Sequence, residues 1–223
     1  MILYSYRIIL DLLYTDIFMK NCPHCGSHSS ALKYLLLETK NFRVVCDVHP
    51  IIEGHILIIS KNHLSCVGEY SQEIFDEFTN LYEKFSRFIK DMYSSVSSFE
   101  HGKIGQTVFH SHTHIIPYSG NPGDIIPEGE EHMATISSLE SLQDMYRKDG
   151  KYLFFSIGKD MWLVDLKLGA PRFFRDRFAA AFGNPERGDW KEMKRDVGTM
   201  AKAQQELGDL QGKWTKYNER IMM

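Results

Sequence analysis

Three histidines alternate with single residues in the segment HSHTH at positions 110–114. Apolar residues flank this segment, with Val108 and Phe109 before it and Ile115 and Ile116 after it, so it is predicted to be a β-strand. Because side chains alternate between the two faces of a strand, the three imidazoles are expected on one face, with successive rings about 6.5 Å apart. Burying three imidazoles together is costly unless their ring nitrogens have partners. The spacing therefore predicts a functional cluster.

The cysteine and histidine spacing supports two hypotheses for metal binding. In the first, the three histidines of HSHTH bind a catalytic zinc directly and leave one coordination position open for water. In the second, Cys22 and Cys25 of the CPHC knuckle are thiolate ligands, and one strand histidine with one loop histidine completes a closed, structural site. The second hypothesis is favoured because it accounts for the knuckle and leaves the remaining strand histidines free. Rival donors by proximity in sequence are His24, His28 and His49.

Composition excludes several classes of protein. The chain of 223 residues is 43% hydrophobic and 25% charged, which is ordinary for a globular protein and unlike a disordered chain. Its formal net charge of −3 provides no global positive field, so no duplex DNA partner is expected. Four cysteines are too few for a disulfide-stapled secreted scaffold, so a cytoplasmic location is predicted.

The apolar stretch at residues 1–18 resembles a signal peptide or a membrane span in its hydrophobicity alone. Asp11 and Asp16 interrupt it, and it lacks both a basic cluster and a small-residue cleavage site, so neither is predicted and no membrane partner is expected. Met19 shortly before the knuckle is a candidate start of the native chain. Residues 1–18 would then be a leader outside the native fold.

Downstream of the knuckle the pattern predicts an α+β fold. Apolar residues recur at helical spacing from Ser71 to Met92, which predicts one long amphipathic helix with Ser71 as its N-cap. Short apolar and β-branched runs predict an antiparallel sheet of about five strands, against which this helix packs. The strands are predicted at residues 32–38, 42–48, 55–59, 96–100 and 106–117.

A change in composition divides the chain after residue 119. We expect one domain at residues 19–119 and a linker or loop at residues 120–137, which is rich in glycine and proline where it begins. Residues 138–223 are expected to form a mixed α/β C-terminal extension with two helices, at residues 138–146 and 173–182, and a hairpin between them.

Four segments in this order resemble the histidine triad (HIT) superfamily, which is marked by a strand of the pattern His-φ-His-φ-His-φ-φ, where φ is an apolar residue. They are CPHC, CDVHPIIEGHILIISKNH, GQTVF and HSHTHII, and they lie between about residues 21 and 117. The resemblance implies a HIT-like sheet and a nucleotide hydrolase or nucleotidyltransferase, here with a Cys-x-x-Cys zinc knuckle and a C-terminal extension. It implies dinucleoside polyphosphates or nucleoside phosphoramidates as substrates, and homodimers are typical of the smaller members.

The resemblance also implies a role for each matching residue. His112 would be the nucleophile, since a neutral ring nitrogen can attack the α-phosphorus and form a covalent nucleotidyl-histidine. His114 would contact the phosphoryl oxygens, and His55 would help to set the protonation state of the triad. The implied substrate contacts are Asp47 at the ribose hydroxyls and Gly105, Gln106 and Thr107 at the α-phosphate and leaving group. The implied ligands of a structural Zn²⁺ are Cys22, Cys25, His63 and His110.

The sequence departs from the family pattern at several positions. Ser60 replaces a proline. Ser111 and Thr113 replace apolar residues, so the strand face opposite the histidines is expected to be less tightly packed or partly wet. His101 lies where smaller members have an asparagine-containing turn, and it is either a substrate contact or a solvated turn residue.

The extension has two features with open interpretations. Arg172, Arg175 and Arg177 could bind a polyphosphate as bidentate donors, although a helix with a solvated basic face is the commoner arrangement. Trp190 could stack on a base or serve as a packed anchor. The alternative to an enzyme is a non-catalytic nucleotide- or RNA-associated binding module, and the intact triad argues against it.

Overall fold

The computed structural model describes residues 22–26 and 29–222. Within them, eight strands form one antiparallel sheet in the order β1-β2-β3-β5-β4-β7-β8-β6. The predicted α+β class with an antiparallel sheet is confirmed, but the predicted number of about five strands is wrong. The strands are β1 (Leu35–Glu38), β2 (Phe42–Cys46), β3 (Ile56–Ser60), β4 (Ser97–Glu100), β5 (His112–Ile116), β6 (Met133–Ile136), β7 (Phe154–Ile157) and β8 (Asp160–Val164).

The extra strands come from the C-terminal half of the chain. β7 pairs with β4, and β8 pairs with both β7 and β6, so β6 to β8 continue the sheet that the first five strands begin. The reason is that β4 would otherwise be an edge strand with unpaired backbone groups, and β7 satisfies these groups within the same chain.

Three of our expectations, on residues 1–18, Met19 and His28, fall outside the described residues.

The histidine-rich strand is shorter than predicted. β5 begins at His112 rather than at residue 106, because a turn precedes it, in which the amide of His110 donates to the carbonyl of Val108 at 2.9 Å. The amide of Ser111 then donates to the carbonyl of Leu64 at 2.6 Å. His110 therefore lies just outside the strand, while His112 and His114 lie within it.

The predicted long helix is confirmed as α1, which buries Phe75, Phe78, Phe85 and Phe88. Ser71 is at its N-cap position, but its side chain makes no capping hydrogen bond. The helices are α1 (Gln72–Tyr93), α2 (Pro122–Ile125), α3 (Glu140–Asp149), α4 (Phe173–Ala181), α5 (Trp190–Met193) and α6 (Val197–Met222). No helix among the described residues combines the length and apolarity needed to cross a membrane.

Aromatic stacking is one way in which the C-terminal helices pack against the part of the chain that carries the histidines. The ring of Trp214 on α6 stacks on that of Phe85 on α1, with centroids 4.5 Å apart. Phe178 on α4 stacks on Phe99 of β4 at 5.2 Å, and Phe99 in turn stacks on the His114 ring at 4.1 Å. Helix α4 is thus held directly behind the histidines.

Candidate functional site

A cavity of about 230 Å³ lies beside β5. His112 and His114 form part of its wall, and their ring centroids are 5.0 Å apart, which is closer than the roughly 6.5 Å expected along a strand. The rest of the wall includes residues of the knuckle, of the segment after β2, of the segment before the histidines, and of the C-terminal segment that carries Arg175, Trp190 and Lys194. Residues far apart in the sequence therefore enclose one small space at the histidines.

The tautomer of His112 is determined by its backbone partner. Its Nδ1 lies 2.6 Å from the carbonyl oxygen of His110, and a carbonyl can only accept, so Nδ1 carries the proton. The lone pair is therefore on Nε2. Burial lowers the pKa of His112, with the backbone hydrogen bond acting in the opposite direction, so the ring is neutral at pH 7. A neutral ring nitrogen with a free lone pair is a competent nucleophile.

A chain of hydrogen bonds determines the tautomer of His114. The amide of Ile51 donates to Nδ1 of His55 at 3.1 Å, so the proton of His55 is on Nε2. That Nε2 lies 2.8 Å from Nδ1 of His114, which must accept and so carries its own proton on Nε2. The Nε2 of His114 is buried without a partner. Burial lowers the pKa of His55 to about 3 and also lowers the pKa of His114 well below its ordinary value, so both rings are neutral. His114 thus holds a hydrogen-bond donor that no described group accepts.

Asp47 and Arg175 form a buried ion pair at the cavity. Each residue is 6% exposed, and Nη1 of Arg175 lies 2.7 Å from Oδ2 of Asp47. Arg175 also donates to the carbonyls of His49 at 2.7 Å and of Gly188 at 3.3 Å. Burial raises the pKa of Asp47, but the attraction of Arg175 and of His55 outweighs it and lowers the pKa to about 2. The carboxylate is ionised, and Arg175 is buried at the site rather than solvated.

The two neighbouring arginines have other partners. Arg172 pairs with Asp176 and Asp189, and Arg177 pairs with Glu128. Neither of these two arginines lines the cavity. Of the three arginines named from the sequence, only Arg175 is brought to the histidines.

The segment before the histidines contributes unequally to the cavity. Thr107 lines it and accepts a hydrogen bond from the indole Nε1 of Trp190 at 3.3 Å. Gln106 donates to the carbonyl of Ser65 at 2.7 Å and is not part of the cavity wall. Gly105 has a φ of +76°, and a Cβ there would approach the carbonyl oxygen of Ala170 to 2.3 Å, so its position is set by the C-terminal segment. Of these three predicted contacts, only Thr107 faces the cavity.

The predicted metal ligands converge on one point. Cys22, Cys25, His63 and His110 each offer a ligand atom, and these four atoms lie within 4.8 Å of one another. The Sγ to Nδ1 distances are 3.2–3.4 Å and the two Nδ1 atoms are 3.2 Å apart. A tetrahedral zinc with bonds of about 2.3 Å to sulfur and about 2.0 Å to nitrogen would separate these atoms by about 3.5 and 3.3 Å. The cluster could therefore hold a metal ion of that size.

Two further observations fit a metal at this cluster. The Nε2 of His110 donates to the carbonyl of Ser60 at 2.6 Å, which leaves Nδ1 free as a ligand and fixes the ring. Burial raises the pKa of the Cys25 thiol to about 12, so a thiolate there requires a compensating cation. His24 and His49, the rival donors, are not part of the cluster. His112 is not part of it either, so the four donors do not compete for the predicted nucleophile.

A second group of possible ligands consists of Asp47, His55 and His114, whose atoms also lie within 4.8 Å of one another. These atoms already have partners, since His55 donates to His114 and Arg175 pairs with Asp47. The guanidinium would repel a cation placed there. This group is explained as a hydrogen-bonded network.

The strand face behind the histidines is buried. Ser111 is 0% exposed and Thr113 is 1% exposed. The hydroxyl of Ser111 is 2.6 Å from that of Tyr70 and donates to Glu100 at 3.4 Å, whereas the hydroxyl of Thr113 is buried without a hydrogen-bond partner. Glu100 also accepts from the hydroxyl of Tyr152, and burial raises its pKa to about 7.

Several residues near the histidines were not predicted as site residues. His24 lines the cavity, although the sequence offered it only as a rival metal ligand. Lys194 lines it too, and it gave no signal because it is one lysine in a lysine-rich segment. His101 is buried and accepts a hydrogen bond from the amide of Phe174 at 3.2 Å, so it anchors helix α4 and is not a solvated turn residue.

Comparison with known proteins relates the chain to one family. A family model described as HIT domain matches residues 30–121. The protein named Protein hit of Bacillus subtilis is 31% identical over 109 residues, which are 45% of this chain and 73% of that protein. An adenosine 5'-monophosphoramidase of Saccharomyces cerevisiae is 33% identical over 99 residues, which are 43% of this chain and 61% of the enzyme. A solved structure of a hypothetical protein from Leishmania major aligns with 28% identity and a TM-score of 0.39, covering 46% of this chain and 77% of that one.

The assignment rests on the sequence matches, which coincide with the histidines and their hydrogen-bond partners. The matched residues 30–121 include His55, His112 and His114, and they extend from β1 through β5. The resemblance of the four motifs predicted the same assignment. The chain belongs to the HIT family.

Proposed function

We propose that this protein is a nucleotide hydrolase or nucleotidyltransferase that attacks an α-phosphate through a covalent intermediate on His112. The observation that carries the proposal is the 2.6 Å hydrogen bond from Nδ1 of His112 to the carbonyl of His110, which leaves the Nε2 lone pair available at the cavity. HIT family membership supports nucleotide chemistry of this general type.

The first step forms a bond between Nε2 of His112 and the α-phosphorus. The bond from phosphorus to the leaving group breaks, and its electron pair departs with the leaving group, which then takes up a proton from the solvent. Negative charge grows on the non-bridging oxygens, and the free Nε2–H of His114 is a donor suited to them. In the second step, water or another acceptor attacks phosphorus and gives up a proton to the solvent. The bond between phosphorus and Nε2 of His112 breaks, and its electron pair returns to Nε2, so the ring regains its neutral form.

His55 is a positioning residue in this mechanism. It fixes the tautomer of His114 through the 2.8 Å hydrogen bond, and its own tautomer is fixed by the amide of Ile51. Without this chain, the proton of His114 could move to Nδ1, and the donor toward the phosphoryl group would be lost. Asp47 would accept from the ribose hydroxyls through the lone pairs that Arg175 leaves free, and Thr107 would contact the α-phosphate.

The substrate class we propose is a nucleoside phosphoramidate or a dinucleoside polyphosphate. The adenosine 5'-monophosphoramidase among the relatives favours the phosphoramidate. Either substrate carries the same reacting unit, a nucleoside 5'-phosphoryl group, which would bind at the cavity beside His112.

We further propose that the metal held by Cys22, Cys25, His63 and His110 is a structural zinc ion. Two thiolates and two imidazoles close its coordination shell, so it would supply stability and not an activated water. It would tie the knuckle to the start of β5. Because the carbonyl of His110 orients the His112 ring, this ligand set also supports the nucleophile.

Assembly and location remain predictions. Within the described residues β7 pairs with β4, so a homodimer would have to form through a surface other than that edge of β4. Size-exclusion chromatography with light scattering would determine the assembly. The cytoplasmic location is still predicted from the low cysteine content alone.

The test is incubation with adenosine phosphoramidate and with a dinucleoside polyphosphate, both labelled at the α-phosphate. We expect the wild type to release labelled nucleotide and to retain label on the protein when the reaction is quenched without acid. His112→Ala should do neither, whereas His132→Ala, a histidine outside the cavity wall, should behave as the wild type does. Tight nucleotide binding without turnover in the wild type would instead support the binding module, and full activity of His112→Ala would refute the mechanism.

A further inference from the structure

His24 lies within the knuckle, yet it is not one of the four clustered ligands. Its side chain is directed toward β5 and the residue that precedes it by two positions, since its ring centroid is 4.9 Å from that of His112 and 5.5 Å from that of His110. The residue is 5% exposed and forms part of the cavity wall. Neither the metal cluster nor the proposed mechanism gives the imidazole of His24 a role.

The Nδ1 of His24 is buried and has no hydrogen-bond partner. Among the described residues, only one other imidazole nitrogen is in this condition, the Nε2 of His114. Both rings adjoin that of His112, at 4.9 and 5.0 Å between centroids. Buried polar atoms without partners are rare because each one costs free energy, and their position at a cavity indicates that a ligand satisfies them.

We propose that the Nδ1–H of His24 is a second hydrogen-bond donor to the phosphoryl group held at His112. This inference rests on the proposed function. A phosphorus atom under attack stands about 3 to 3.5 Å from the nucleophilic nitrogen, so its oxygens fall next to the rings that adjoin His112. His114 would bind one of these oxygens and His24 another.

The position of His24 also gives the knuckle a second task. Because His24 lies between Cys22 and Cys25, whatever holds these two cysteines also holds His24 beside the nucleophile. A change that releases the knuckle would therefore remove a phosphoryl contact. A purely structural knuckle would have no such link to ligand binding.

The test compares the binding of AMP and of adenosine to the full chain by isothermal titration calorimetry. His24→Phe keeps an aromatic ring but removes both nitrogens. We expect its affinity for AMP to fall about tenfold to hundredfold, the range for a hydrogen bond to a charged group, while its affinity for adenosine stays within about twofold. His132→Phe, an imidazole outside the cavity wall, is the matched control and should bind both ligands as the wild type does.

Two more variants separate the hydrogen bond from the fold. The amide of His24→Asn lies near the position of Nδ1, whereas that of His24→Gln lies near the position of Nε2. We expect AMP affinity to be largely restored in the Asn variant and not in the Gln variant. Metal content and thermal unfolding are measured on all variants, and if His24→Phe loses its metal, the contrast between Asn and Gln decides.

Two results would overturn the inference. Unchanged AMP affinity in His24→Phe would show that the ring makes no contact, and equal losses for AMP and adenosine would place it on the nucleoside. If the wild type binds AMP but forms no covalent label, the proposed function fails while the AMP comparison still decides the role of His24. If the wild type binds no AMP, both fail together.

Discussion

The ion pair between Arg175 and Asp47 connects the C-terminal segment to the histidine site, and replacing Arg175 with methionine tests its strength. Methionine keeps the length and the apolar stem of the side chain but removes the guanidinium. Asp47 is then left as a buried carboxylate without its partner, and the carbonyls of His49 and Gly188 lose a donor. Breaking a buried pair in this way typically costs about 3 to 5 kcal/mol.

The pKa of Asp47 gives a second value for the free energy by which the ion pair stabilises the fold. It is lowered from 3.8 to about 2, which corresponds to roughly 2.4 kcal/mol at about 1.36 kcal/mol per pKa unit. Because the pKa is lower in the folded state, this stabilisation is present above pH 3.8 and is lost as the pH falls toward 2. The free energy difference between wild type and Arg175→Met should therefore be largest near neutral pH and shrink below pH 4.

The assay is urea unfolding, followed by circular dichroism, of the wild type, Arg175→Met, Asp47→Asn and the double variant at pH 7. We expect the double variant to be at least about 2 kcal/mol more stable than the sum of the single effects predicts, since the two groups interact directly. Arg177→Met is the matched control on the same helix, because its pair with Glu128 is more exposed and should contribute no more than about 1 kcal/mol. A coupling energy below about 0.5 kcal/mol would refute the reasoning. So would a difference in unfolding free energy between wild type and Arg175→Met that does not change with pH below 4.

Three further predictions concern the metal, a buried carboxyl and the nucleophile. Cys22→Ser should lose the bound metal in elemental analysis and should unfold at a lower temperature, whereas Cys46→Ala, which removes a thiol outside the cluster, should keep its metal. Burial raises the pKa of Glu100 from 4.5 to about 7, so the wild type should lose up to about 3 kcal/mol of unfolding free energy as the pH rises from 4.5 through 7. Glu100→Gln should not show this loss, and an equal pH dependence of the two proteins in urea unfolding would contradict the prediction. Burial lowers the pKa of His112 below 6.5, so kcat/KM should stay constant down to about pH 6.5 and fall only in more acidic solution. A decrease of kcat/KM with its midpoint above pH 6.5 would contradict this prediction.

Local sequence patterns predicted the elements that carry the histidines. The apolar spacing of α1 and the short runs of β2 and β3 agree with the structure because each pattern reflects the burial of one face or of a whole strand. The convergence of His55 with the triad, and of the two cysteines with His63 and His110, was implied by the family motifs. Those motifs encode long-range pairs that no periodicity could reveal.

The sequence failed where contacts span long stretches of chain. The strand count was wrong because β7 pairs with β4 across more than fifty residues, and neither strand signals its partner. The length of β5 was overestimated because a turn held by a bond to the carbonyl of Leu64 ends the pattern before His112. The sequence also gave no sign that Tyr70 and Glu100, which lie in distant segments, are the polar partners of Ser111.

The sequence by itself determined that His112 and His114 share one strand face, that a long helix packs on the sheet and that two cysteines form a knuckle. These features follow from the spacing of a few residues, because the geometry of a strand or helix fixes the direction in which each side chain points. Only the tertiary structure decided that Arg175 pairs with Asp47, that Trp190 reaches Thr107 and that His24 adjoins His112. Such contacts depend on how whole elements pack, and their energy is shared among many weak interactions that leave no local pattern in the chain.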